Sequence, residues 1–151
     1  MRRLGGLVVF AVLVAGGAPP AGAAARVRCG GFRATIVGTR GDDVLEGTKR
    51  RDVVHGLGGA DVIAGLGGDD VICSGPGTSA IDAGRGDDVV IGGRDRNVVD
   101  AGPGHDLVAG GEASDILAGG PGRDRVRAGN GRDAVAGGAG SDRLFGELEL
   151  D

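Results

Sequence analysis

Aromatic side chains are almost missing from this chain of 151 residues. Phe10, Phe32 and Phe145 are all there are, and tryptophan and tyrosine are absent. That shortage excludes a conventional globular core, in which large rings supply much of the buried area. Histidine is equally scarce, with His55 and His105 at unrelated places in the local pattern, where they read as solvated surface residues. The chain has no HExxH helix, no GxSxG elbow and no stretch outside its repetitive part long enough for a catalytic domain, so enzyme chemistry is not expected. Matches to GxGxxG arise because glycine recurs, and neither a phosphate-loop lysine nor a βαβ pattern accompanies them.

Long apolar runs are also lacking, with one exception. Arg2 and Arg3 precede an apolar stretch from Leu4 to Ala15, followed by Pro19, Pro20 and small residues through Ala25. This reads as a cleaved secretory signal peptide over 1–25. The alternative is a membrane anchor, but the stretch is shorter than the roughly 20 residues a spanning helix needs, so no membrane insertion is expected. Cys29 follows Arg28 rather than a lipobox, and no sorting motif stands near the C-terminus. The expected product is secreted and extracellular. Without Arg2 and Arg3 it has 15 basic and 21 acidic residues, a net charge of −6, and no nucleic-acid partner is expected.

What the chain does have is glycine, 35 residues of it, and a strict period. Steps of nine from Asp43 reach Asp52, Asp61, Asp70, Ser79, Asp88, Asn97, Asp106, Asp115, Asp124, Asp133 and Asp142. Two residues after each stands an aliphatic residue: Leu45, Val54, Ile63, Ile72, Ile81, Val90, Val99, Val108, Leu117, Val126, Val135 and Leu144. Glycine favours the first, second and fourth places. The unit is GGxGxDxUx, repeated over 38–145, and a nine-residue period of this composition marks a calcium-binding parallel β-roll.

The purest copies, GGPGRDRVR from Gly119 and GGAGSDRLF from Gly137, resemble the RTX or hemolysin-type calcium-binding nonapeptide family. The resemblance implies an all-β fold, a right-handed parallel β-roll of about twelve repeats with two repeats per turn. It also implies several calcium ions, about four to seven, held between loops stacked one turn apart by aspartate carboxylates and backbone carbonyls. The metal candidates are Asp43, Asp52, Asp61, Asp70, Asp88, Asp106, Asp115, Asp124, Asp133 and Asp142. Relatives often join such repeats to a protease, lipase or toxin domain; none is expected from the residues here.

The residues fit this independently. Calcium is a hard cation taking six to eight oxygens, and glycine lets a loop curl its carbonyls inward. A short strand after each aspartate turns the residue at Asp plus two toward one face, making it the core residue. With two repeats per turn, Asp52, Asp70, Asp88, Asp106, Asp124 and Asp142 form an unbroken edge. The other edge holds Asp43, Asp61, Ser79, Asn97, Asp115 and Asp133, and carries both interruptions. Strong sites are expected between successive members of Asp70, Asp88, Asp106, Asp124 and Asp142; Asp52/Asp70, Asp43/Asp61 and Asp115/Asp133 are weaker candidates. A core of only twelve aliphatic residues set against a glycine-rich chain and self-repelling carboxylates makes calcium the expected driver of folding. A roll that folds without metal, or a chain disordered throughout, is the alternative.

Two cysteines in an exported chain suggest a disulfide, Cys29 to Cys73, with two free thiols as the alternative. Solenoid register sets the two apart, so a bridge requires the segment before Phe32 to leave the roll and fold back as an N-terminal cap over 26–37. The seventh places, Val44, Val53, Val62, Val71, Val89, Val98, Leu107 and Ile116, should point outward as apolar stripes, with Arg125 and Arg143 replacing them near the C-terminus. They could serve a surface-recognition or adhesion module with a cell-surface or matrix partner, or simply reflect strand propensity and solubility. No hydroxyl ladder of the kind that binds ice is present.

Overall fold

The nine-residue phase becomes two stacks of parallel strands in the computed structural model, which describes residues 27–146. The signal peptide expected over 1–25 and the residues from 147 onward lie outside the described residues. The described chain opens with an antiparallel hairpin, β1 (Arg28–Cys29) and β2 (Phe32–Arg33). Gly30 and Gly31 turn it at positive φ, the region glycine enters without a Cβ clash.

The roll follows. One sheet has seven strands, β3 (Ile36–Val37), β5 (Val53–His55), β7 (Val71–Cys73), β9 (Val89–Ile91), β11 (Leu107–Gly111), β13 (Arg125–Gly129) and β15 (Arg143–Phe145). The other has six: β4 (Val44–Glu46), β6 (Val62–Ala64), β8 (Ser79–Asp82), β10 (Asn97–Asp100), β12 (Ile116–Ala118) and β14 (Ala134–Ala136). The chain crosses from sheet to sheet at every repeat, so pairing partners are two repeats apart, as in Ile72 with Val90 and Val99 with Leu117. Successive rungs lie about 4.8 Å apart, and six turns make a rod of roughly 29 Å.

The residue at Asp plus two points between the sheets. Ten of the twelve, Leu45 through Val126, are buried, and Ala83, Ala101 and Ala128 fill the space at loop starts. The last two depart from the expectation. Val135 is only half-buried and Leu144 is 48% exposed, because among the described residues no turn stacks beyond them.

The expected bridge is present, Cys29 to Cys73, with Cα atoms 5.7 Å apart. The hairpin reaches Cys73 by lying on the outer flank of the seven-stranded sheet, where Cys29 and Ala34 pack with Val53, Val71 and Cys73. Ile36 and Val37 form β3, paired with β5, and Ile36 packs against the core of the roll. The outward stripe is corrected accordingly. Val53 and Val71 are buried under the hairpin, while Val44, Val62, Val98, Leu107 and Ile116 stay exposed.

Glycine at the second and fourth places answers to stacking. A Cβ on Gly86 (φ +134°) would lie 2.0 Å from the Gly68 carbonyl oxygen, and one on Gly102 2.0 Å from that of Gly84. Loops one turn apart therefore touch backbone to backbone. Leu57 and Leu66 occupy the second place with φ of 76° and 74°, a left-handed conformation that costs a side-chain-bearing residue energy.

Candidate metal centre

Every phased aspartate ends a loop and begins a strand, and the stacking puts each above its counterpart 18 residues earlier. One carboxylate oxygen serves the backbone. Oδ1 of Asp70, Asp88, Asp106, Asp124 and Asp142 accepts the N–H of Asp52, Asp70, Asp88, Asp106 and Asp124 in turn, at 2.7 to 3.0 Å. This is the unbroken edge expected from the phase. On the opposite edge Asp61, Asp115 and Asp133 accept from Asp43, Asn97 and Asp115.

The second oxygen separates the aspartates into classes. Oδ2 of Asp61, Asp70, Asp88, Asp106, Asp115 and Asp124 is buried and meets no hydrogen-bond donor. Such an oxygen costs free energy unless something compensates it. Oδ2 turns back over the start of its own loop: a Cβ on Gly65 would sit 2.7 Å from Asp70 Oδ2, and one on Gly119 2.8 Å from Asp124 Oδ2. In the first two repeats a threonine takes the second place. Thr39 donates its N–H and hydroxyl to Asp43 Oδ2, and Thr48 does the same for Asp52. Oδ2 of Asp43 and of Asp52 is therefore internally satisfied. Asp133 and Asp142 lie in the last described repeats and are partly exposed.

Electrostatics follow from burial. Desolvation pushes the carboxyls of Asp70 and Asp106 up to about 7 and those of Asp61 and Asp88 to about 6. The accepted backbone N–H opposes the rise and neighbouring carboxylates add to it. Asp115 is raised for the same main reason, with hydrogen bonds from Asn97 opposing.

The two interruptions are built differently. Asn97 is fully buried and puts an amide nitrogen where aspartates place Oδ2, donating to the Asp95 carbonyl at 2.7 Å. The Ser79 N–H turns to the Arg96 carbonyl, and Ser79 Oγ and Asn97 Oδ1 are buried without partners. Sequence phase marks these two positions as gaps; it does not show that Asn97 fills its gap with its own donor. His55 accepts the Leu57 N–H through Nδ1 and His105 accepts that of Arg123, so each histidine braces a loop.

Among the described residues no three acidic, histidine or cysteine side chains converge on one point. A cation here would draw on carboxylates from neighbouring turns and on loop carbonyls together. Six orphaned, buried carboxylate oxygens in glycine loops that stack backbone against backbone suit a hard cation of high coordination number. The sequence model of the RTX calcium-binding nonapeptide repeat matches residues 30–49, 37–72, 46–80, 74–108 and 109–144.

The chain belongs to the RTX calcium-binding nonapeptide repeat family.

No curated protein and no solved structure matches it. As a member of that family the chain is a calcium-binding β-roll. Its sheets and register are those the nine-residue phase requires, and the N-terminal hairpin is built on the flank of that common framework.

Proposed function

We propose that this chain is exported, that calcium held between successive loops drives its roll to fold, and that the folded roll has a structural or interaction role outside the cell. The observation that carries the reading is the set of orphaned Oδ2 atoms. Four of the six, on Asp70, Asp88, Asp106 and Asp124, lie on the unbroken edge. A bound cation would supply the positive charge that offsets carboxylates stacked about one rung apart. The ten phased aspartates are the ligands in this reading, with the strongest sites between successive members of Asp70, Asp88, Asp106, Asp124 and Asp142. The Cys29–Cys73 bridge accords with an oxidising compartment.

Calorimetric titration with calcium tests it, read beside circular dichroism. Four to seven ions per chain, bound together with a gain of β signal, is the expected result. A stoichiometry below two would remove the ladder as the binding element. A second reading, surface recognition through outward positions, is favoured by the arginines that replace the apolar stripe at the C-terminal end, at Arg125 and Arg143.

A further inference from the structure

The outer face of the seven-stranded sheet changes character along its length. Its first turns carry valines beneath the hairpin, then Leu107 stands exposed, and the last two turns carry Arg125 and Arg143 side by side in parallel register. Arg127 lies two residues along the same strand, opposite Phe145. Like charges directly opposite on neighbouring strands destabilise a sheet, so strand pairing itself gives no reason for two arginines there. Arg123 joins them from the preceding loop, where its backbone N–H donates to His105 Nδ1. His105, Arg123, Arg125 and Arg143 line a cavity of about 380 Å³ together with Leu107 and the carboxylate residues Asp106 and Asp124. All four side chains are exposed, and from Arg123 to Arg143 the acidic residues are the phased Asp124, Asp133 and Asp142 alone.

Charge counting gives the cavity its dependence. In a roll that stayed folded without metal, the carboxylates of Asp106, Asp124 and Asp142, where ionised, would offset the charge of Arg123, Arg125 and Arg143. Two calcium ions between those turns would add four positive charges and leave the arginines without anionic partners of their own. Guanidinium groups are planar forks that grip tetrahedral oxyanions through paired hydrogen bonds.

We propose that the cavity of His105, Arg123, Arg125 and Arg143 binds a sulfate or phosphate group, and that it does so when calcium occupies the neighbouring loops. The inference rests on the calcium reading above. By linkage, the oxyanion in turn raises calcium affinity.

The probes are sodium sulfate and glycerol 3-phosphate, titrated into the calcium-folded chain by calorimetry, with sodium chloride at equal ionic strength as reference. The variants are R125Q/R143Q and, as a control at exposed arginines elsewhere, R94Q/R96Q. The unaltered chain and R94Q/R96Q should bind one ester per chain, and either oxyanion should lower their calcium midpoint by about twofold or more. R125Q/R143Q should keep its calcium-induced β signal, lose about tenfold or more in oxyanion affinity, and show no midpoint shift beyond that of R94Q/R96Q in chloride. Equal behaviour of the two double variants, or a calcium-folded chain that ignores both probes, overturns the inference and leaves the calcium reading standing. A chain whose β signal ignores calcium overturns both.

Discussion

Asp106 and Asn97 occupy the same place in their repeats and are expected to respond to substitution in different ways. Asp106 has one oxygen accepting the Asp88 N–H and one without a partner. Asp106→Asn should raise the calcium midpoint by about three- to tenfold and reduce the number of ions bound, read by calorimetry. Asn97 is buried and donates to Asp95 and Asp115. Asn97→Ala should destabilise the calcium-loaded roll by about 1 to 3 kcal/mol in denaturant melts, with the ion count unchanged. Backbone strain gives a third case. Leu66 holds φ at 74° and its side chain is 46% exposed, so Leu66→Gly removes a conformational penalty with little packing loss. A gain of about 1 kcal/mol is expected, whereas Gly86→Ala, which drives a Cβ into the Gly68 carbonyl, should cost more than that. The phased aspartates, the core residues and most glycines were legible in the sequence because one nine-residue period fixes them all. The threonine donors to Asp43 and Asp52 and the amide of Asn97 were not, since they depend on which oxygen faces which loop.

Protonation also acts residue by residue. The folded-state values of Asp61, Asp70, Asp88 and Asp106, about 6 to 7, stand above the ordinary 3.8. A raised carboxyl binds its proton more tightly when folded. In the metal-free roll the resulting penalty is absent below about pH 4, grows as pH rises, and is complete above about pH 7. The chelated chain should therefore gain β signal between pH 8 and pH 5, and calcium affinity should fall over the same interval as protons compete. A chelated spectrum constant across that range would contradict the burial of these carboxylates.

At the scale of elements, the hairpin distinguishes the two ends of the roll. It covers Val53 and Val71 and is tied to β7 by a bridge spanning 44 residues of sequence. Removing the bridge with Cys29→Ser and Cys73→Ser should cost about 2 to 4 kcal/mol in the calcium-loaded state. It should also expose the valine stripe, which added dye binding would report. The hairpin's place was only half legible. Two cysteines out of register demanded that the chain fold back, but the landing surface depends on the outer side chains of β5 and β7, which no single repeat reveals. The exposed Leu144 has a similar origin, since the period marks it as core without saying that a further turn is needed to cover it.

For the whole molecule, parallel sheets enclosing two facing files of aliphatic residues are the outcome of the repeat itself, and the two edges differ because two repeats make one turn. The unbroken edge carries four of the orphaned carboxylate oxygens, and the other carries two, set apart by Ser79 and Asn97. Circular dichroism through a calcium titration, started in chelator near pH 7.5, tests the central claim most directly. The chain should begin with little β signal and acquire it cooperatively at roughly 0.1 to 1 mM calcium, the range of extracellular modules, with magnesium a poor substitute. A full β spectrum in chelator, unchanged by added calcium, would contradict the account.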